Sequence, residues 1–596
     1  MKRYLDVDIL KKIDLPPCRE IIQEGRARGK ELKIGQTAFM RKFNVSSEAE
    51  YKKRMIQQGK TMFHAHIGLN SWETTAEALR MIYAEMEALN LRLDRFGLCL
   101  DRAMGLPPEL RKHMPRETGP RLENPDQWVE VGQVVPIQPH AGDFMIGFPN
   151  SVENTENALR AGITTIGNLS QYFAHEIPGW TDAVFTSVET TKALSIMAVH
   201  KENGALVHSY LDDGYGALFT DYGTTSGWVM MEKYIVQDLI GAKLSPSFGG
   251  MTKSPAMRLS WILVLKEIFG EELLGSMFYG DTISFSTNLH LNSGIVANYV
   301  LWDVLAQLFC PTGHAITPIP VTEAIRVPTG QEILQVQILG RKMEETAREI
   351  FPRFDFTREV ERKERLVQAG HAVFTNALEK LDTLGIDIKD PLRLLHTLKK
   401  LGPGQFEAYF GIGETDRNHV HKRNPLMITD HYKALQEGID EIKRELKEKI
   451  PDMKNTFAGK RVVVTSTDVH EHALFVLEQI LSFTGMKVFN IGAEKNSTQI
   501  LDGLIECGGE ILAVSTHNGM AYEFALLLIE DMRQRGIEVP VFMGGRLNQN
   551  VEAEPLPVDM TERLRTLNVI PCDSIPEFLS VLTEILSQKE KALGGN

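Results

Sequence analysis

Between residues 61 and 319 one pattern recurs: a short apolar run, a polar end, then a stretch of helical periodicity. The runs are TMFHAHIG (61–68), RFGLCLD (95–101), VVPIQPH (134–140), ITTIGN (163–168), ALVHSY (205–210), KLSPSF (243–248), SMFYG (276–280) and AITPI (315–319). A strand followed by a helix returns to the sheet parallel to its predecessor. Eight such units over roughly 260 residues predict a (β/α)8 TIM barrel. Several runs end in polar residues: His64 and His66, Asp101 and Arg102, His140 and Asp143, Asn168, then His208. Barrel enzymes keep their chemistry at these C-terminal strand ends. Any one of these residues can be satisfied by local hydrogen bonds, but the whole set lying idle is a poorer reading.

A chain of 596 residues exceeds what one core supports, so further domains are expected. Residues 1–60 are charged and helical in pattern and read as an N-terminal extension. Residues 331–455 read as a helical tail of the barrel, giving a catalytic domain over 61–455. Its charged run LQEGIDEIKRELKEKI (435–450) has the pattern of a solvated helix face. From 456 to the end a different unit is expected. Its runs RVVVTS (461–466), KVFNIG (487–492), ILAVS (511–515), VPVFMG (539–544) and LNVIP (567–571) alternate with helical patterns and predict a doubly wound, flavodoxin-like parallel sheet.

Charge and composition narrow the partners. A net charge of −13 disfavours nucleic acid and anionic membranes. No apolar run approaches the roughly 20 residues that cross a bilayer, and the N-terminus has no signal-like apolar core. Cys18, Cys99, Cys310, Cys507 and Cys572 show no CxxC spacing and read as buried or idle thiols of a reducing compartment. A cytoplasmic enzyme acting on a small molecule is expected.

In an open parallel sheet, ligands bind beyond the carboxyl ends of the strands. Three of those ends are unusual here. The first gives Thr467, Asp468 and His470, the third Ser515 and Thr516, the fourth Gly544 and Gly545. Glycines at a strand end let a flat or bulky ligand lie on bare backbone. An Asp two residues before a His can accept one ring proton and leave the other nitrogen free for a metal. A zinc site from His470 and His472 is poorly served, because i, i+2 histidines diverge on a helix and no further ligand joins them in sequence. A receiver wants paired acids at the first strand, and a flavodoxin wants a phosphate loop there.

Asp468-Val469-His470, Ser515 and Gly544-Gly545 stand in the order and spacing of the DxHxxG…S…GG pattern of cobalamin-binding domains, and the chain resembles that family. The resemblance implies His470 as the lower cobalt ligand and Asp468 as the group that orients it. It also implies that Ser515 meets the displaced benzimidazole base and that Gly544 and Gly545 flank the nucleotide tail. Ala473 stands where the family has glycine.

The order of barrel first and cobalamin domain last resembles the adenosylcobalamin-dependent mutases. VVPIQPHAGD (134–143) and EAIRVPTG (323–330) are similar to stretches of the glutamate mutase catalytic subunit. ITTIGNLSQYFAHEIPGW (163–180), AREIFPRF (347–354) and GGRLNQN (544–550) are similar to lysine 5,6-aminomutase. The departures are informative. His66 and His140 stand where glutamate mutase has arginines for its substrate carboxylates. Gly167, Tyr172 and Glu176 replace residues that hold pyridoxal phosphate in the aminomutase, and Glu176 would repel a phosphate, so pyridoxal phosphate is not expected. The resemblance to 2-methyleneglutarate mutase implies adenosylcobalamin as cofactor and a radical carbon-skeleton rearrangement of a small free acid in a homo-oligomeric enzyme. His66, Arg102 and His140 would contact the carboxylates and Tyr172 would line the pocket. A corrinoid methyltransferase, a cobalamin sensor and a cobalamin-dependent aminomutase of the lysine 5,6-aminomutase type are the competing readings. The first would carry a helical cap before the cobalamin domain. The second has no need of a polar-ended barrel.

Overall fold

Residues 13–593, apart from 115, 418, 469, 470, 518 and 550–557, are described by the computed structural model. Every apolar run of the first half forms a strand, and all eight are parallel to their neighbours. They are β1 (Met62–Ile67), β2 (Arg95–Leu98), β3 (Gln138–Ala141), β4 (Thr165–Ile166), β5 (Leu206–Tyr210), β6 (Leu244–Ser247), β7 (Met277–Phe278) and β8 (Ala315–Ile316). The order β6-β5-β4-β3-β2-β1-β8-β7 runs round one sheet, and a parallel bridge from Phe248 to Phe278 closes the seam between its two ends. This is the expected (β/α)8 barrel. Several strands are shorter than their apolar runs: β4 stops at Gly167, and β8 stops before Pro318, which has no N–H to give a ladder.

Helices such as Trp72–Ala88, Ala183–Val199, Leu289–Phe309 and Gly330–Ile350 wrap the strands. The first and last of these four start with reciprocal capping boxes, at Ser71 with Thr74 and at Thr329 with Glu332.

The N-terminal segment is more than an extension. Helix Glu48–Gln57 closes the N-terminal face of the barrel, with Glu48 and Lys52 fully buried. Lys52 Nζ donates to the carbonyls of Gly275, Ser276 and Gly313 at 2.8, 3.1 and 2.7 Å. Glu48 pairs with Arg95 of β2 at 3.0 Å and with Lys52 at 3.3 Å, and accepts from Thr165 Oγ1 of β4 at 2.7 Å. The ions are buried together, so the desolvation each suffers is offset by its partners.

The chain divides into two compact units. One holds the residues up to Ala174 with Asp182–Tyr432; the other holds His175–Thr181 with Lys433–Asn596. The second unit thus begins ahead of residue 456. Ile439 and Leu446, on the helix Asp430–Lys449, are buried with Met453, Phe457 and Ile480. That helix is not a tail of the barrel, and only its outer face is solvated.

The second unit is a parallel sheet of β9 (Arg461–Ser466), β10 (Lys487–Asn490), β11 (Ile511–Thr516), β12 (Val541–Gly545) and β15 (Val569–Cys572), in the order β10-β9-β11-β12-β15. A two-stranded ribbon, β13 (Asn548–Gln549) and β14 (Val558–Asp559), lies between the last two in sequence. Counted within the unit, the strand order is 2-1-3-4-5, the flavodoxin-like arrangement. Among the described residues no helix is long and apolar enough to cross a membrane.

Candidate functional site

In the 2-1-3-4-5 order the winding reverses between β9 and β11, and a crevice opens beyond their carboxyl ends. The register puts Ser466, Ser515 and Gly544 side by side across β9, β11 and β12, with Thr516 beside Gly545. Asp468 follows Ser466 by two residues and is buried. Its carboxylate accepts from the His517 backbone N–H and from Ser466 Oγ at 3.2 Å, so it ties the first turn to the third across the crevice. Thr467 Oγ1 donates to Thr516 Oγ1 at 2.8 Å in the same seam. The structure therefore brings Asp468, Ser515, Gly544 and Gly545 together. His470, the expected cobalt ligand, lies outside the described residues. The ring of His517, which follows Thr516 at the end of the third strand, lies 4.0 Å from the Asp468 carboxylate.

Gly545 is required by geometry. It has a φ of +103°, and a Cβ there would stand 2.3 Å from the Thr516 carbonyl. At Gly544, among the described residues, a Cβ would come within 4 Å of one atom, the Cys572 carbonyl oxygen at 3.2 Å. Ser515 is buried to 4% exposure, with its hydroxyl in none of the hydrogen bonds among the described residues. Bare backbone, a buried hydroxyl and a carboxylate suit a flat, bulky ligand with a polar tail.

No protein-family model matches the chain, and no curated protein matches it. Among solved structures, a novel cobalamin-binding protein from Desulfitobacterium hafniense DCB-2 is similar at 14% identity, over 26% of this chain and 80% of that one, with a TM-score of 0.19. A likeness this slight carries no argument about what the present chain binds.

The barrel holds a second polar centre. Strand alternation turns His64 and His66 of β1 inward together with His140 of β3 and His208 of β5. Ring centroids are 5.9 Å apart for His64 and His140 and 4.5 Å for His140 and His208, and all three residues are at most 1% exposed. Glycine makes the room: a Cβ on Gly97 would stand 2.6 Å from His64 Nε2, and one on Gly167 would stand 2.7 Å from His208 Cβ. Burial, and then the positive charge of Arg95, hold all three well below the ordinary imidazole range. They are neutral, each with one donor and one acceptor nitrogen. His140 Nδ1 meets the Thr165 carbonyl at 3.0 Å. Both nitrogens of His64, Nε2 of His140 and Nδ1 of His208 have no hydrogen-bond partner among the described residues.

Above them the mouth is charged. His66 Nε2 lies 3.6 Å from Asp143 Oδ2, with Cys99 alongside and the Tyr279 ring edge-on at 5.4 Å. Burial lowers the His66 affinity for a proton, but Cys99 and Asp143 together outweigh it and raise it well above the usual value. Gln171 Nε2 reaches Asp143 at 3.3 Å and Asp213 at 3.4 Å, and Asn168 Nδ2 donates to Asp213 at 2.8 Å. Asp212 accepts from Tyr210 and from the Gly249 and Met251 amides, and burial pushes it up to about 6.

Of the residues expected here, His66 and His140 join this centre. Arg102 sits on the turn after β2, 5% exposed, and its guanidinium is ion-paired with Glu117, so a substrate carboxylate would have to displace that partner. Tyr172 does not line the mouth. It is fully buried on the short helix Leu169–Ala174, with its hydroxyl 2.7 Å from Ser187 Oγ, which also meets His396 Nδ1 at 2.9 Å. Glu176, opposed to phosphate in the sequence reading, falls in the second unit and pairs with Lys495 at 3.1 Å. Cys99, expected as a buried or idle thiol, lies just beyond β2 and faces His66.

Proposed function

We propose that the chain is a cobalamin-dependent enzyme whose barrel rearranges the carbon skeleton of a small free carboxylic acid. The observation that carries the reading is the meeting of Asp468, Ser515, Gly544 and Gly545 at the switch point of the flavodoxin-like sheet. These residues would hold the cofactor: His470 by its ring nitrogen, Ser515 by its hydroxyl, and the two glycines as a floor for the tail. Adenosylcobalamin, when bound, supplies a homolytically weak cobalt–carbon bond as a source of hydrogen-atom abstraction. The barrel's residues supply binding and shelter. The neutral rings of His64 and His208 can each turn an N–H to a substrate oxygen, while His140, whose Nδ1–H is given to the Thr165 carbonyl, offers Nε2 as an acceptor, and none leaves a charge buried when substrate is absent. His66, beside Asp143 at the mouth, sits where a substrate carboxylate would be met.

Binding of adenosylcobalamin and methylcobalamin to the purified chain, followed by electron paramagnetic resonance after adding small carboxylic acids, tests this. The expected outcome is tight binding of the adenosyl form, a nitrogen splitting on cobalt that disappears in His470→Ala, and a coupled radical signal with one class of acid. Unchanged spectra in His470→Ala would remove the ligand assignment.

One observation favours a second reading. The helix Asp430–Lys449 packs on the N-terminal side of the second unit, the place where corrinoid methyltransferases carry a helical cap. Methyl transfer from methylcobalamin, with no radical signal from any acid, would select that class.

A further inference from the structure

At the barrel mouth three side chains of different chemistry converge from three consecutive strand ends. A ring nitrogen of His66 near the end of β1, Sγ of Cys99 just after β2 and a carboxylate oxygen of Asp143 after β3 all lie within 4.8 Å of one another. We infer that these three residues bind a zinc ion.

The donor set chooses the metal. Calcium and magnesium want oxygen ligands, whereas a thiolate with an imidazole suits zinc. Donors around a tetrahedral zinc stand roughly 3.3–3.8 Å apart, from metal–ligand distances of about 2.0–2.3 Å. His66 Nε2 and Asp143 Oδ2, 3.6 Å apart, already have that spacing. Zinc entry displaces to solvent the Cys99 thiol proton and the proton on the coordinating His66 nitrogen, leaving a neutral imidazole, and the thiolate and carboxylate then balance the two positive charges. A neutral complex is what a half-buried site tolerates.

The donors are held in place rather than merely near one another. Asp143 Oδ1 accepts from Gln171, so that Oδ2 is the oxygen turned to His66. The backbone at Cys99 is gripped by glycines: a Cβ on Gly68 would stand 2.2 Å, and one on Gly119 2.4 Å, from the Cys99 carbonyl. Cys99 is a free thiol and takes part in no disulfide. The His66 and Asp143 side chains are each 22% exposed, which gives an ion a way in. Three protein ligands leave a fourth position for water or a substrate atom, the pattern of catalytic rather than structural zinc.

The site is independent of the cobalamin reading and is tested without the cofactor. The full chain, purified without a metal-binding tag under reducing, anaerobic conditions and dialysed, is analysed by mass spectrometry for metals. About one zinc per chain is expected, in keeping with the affinity of thiolate-containing sites. Loading the metal-free chain with Co2+ should give near-ultraviolet thiolate-to-metal absorption and tetrahedral visible bands. Both should vanish in Cys99→Ser and fall at least tenfold in affinity in Asp143→Asn, while Cys507→Ala keeps them. No stoichiometric zinc and no thiolate band in the wild-type chain overturns the site, and so does full metal content in Cys99→Ser. Because the wild-type spectrum needs no variant, a misfolded mutant leaves the test intact. Cobalamin binding measured on the same samples separates failure of this site from failure of the cofactor reading.

Discussion

Gly545 combines a left-handed φ with a carbonyl 2.3 Å from where its Cβ would be, so the crest of β12 tolerates no side chain there. Gly545→Ala is expected to lower cobalamin affinity at least tenfold, about 1.4 kcal/mol, with the unfolding of the barrel unit unmoved; a binding titration and urea unfolding check it. Glu232 gives a pH prediction. Burial pushes its carboxyl from 4.5 to about 7, against hydrogen bonds from Ser209, Trp228 and Ser170. Between those values the folded chain keeps a proton that the unfolded chain has lost, so stability is highest below the unfolded value and falls as pH rises through the window. At most about 3 kcal/mol is involved. Glu232→Gln should be more stable than the wild type at pH 8 and nearly equal at pH 4.5 by urea unfolding. At this scale the second unit was easier to read than the barrel. Asp468 and Ser515 stand at the ends of the first and third strands of their unit and announce themselves locally. His66, Cys99 and Asp143 are neighbours only after three strands pair, and a cysteine without a CxxC partner gives no signal in one dimension.

Among the elements, the helix Glu48–Gln57 depends most on distant partners. Glu48→Ala leaves Arg95 and Lys52 buried without their carboxylate and is expected to cost about 3–5 kcal/mol, read as a lower urea midpoint with an unchanged slope. The strands themselves were legible, since parallel strands covered on both faces must be apolar runs bounded by turn residues. Their lengths were not, because Gly167 and Pro318 end pairing while the hydrophobic pattern continues. The plug was hidden for a physical reason. Its buried faces carry Glu48 and Lys52, and charged residues read as surface until their partners are known.

For the whole molecule, both apolar clusters of the second unit fall within 439–582. A fragment of residues 433–596 should therefore unfold in one cooperative step and bind cobalamin with the same dependence on His470. The full chain should show two transitions in calorimetry. A fragment starting at 456 should be markedly less stable, for it strips Ile439 and Leu446 from the core at about 1.5–3 kcal/mol each. That boundary was missed because the helix Asp430–Lys449 is charged on most of its surface. Its narrow apolar stripe, Ile439 and Leu446 two turns apart, was the available clue.

The plug also sets a timetable. Lys52 leaves the ribosome long before Gly275 and Gly313, whose carbonyls accept from it 223 and 261 residues later. At about 5–20 residues per second, this ammonium waits roughly ten to fifty seconds for its site to be made. During synthesis the open N-terminal face of a growing half-barrel is exposed, and the first helices of the chain are the last to be locked. A nascent chain stalled before residue 275 should remain sensitive to protease within 48–57, whereas one released past 320 should resist.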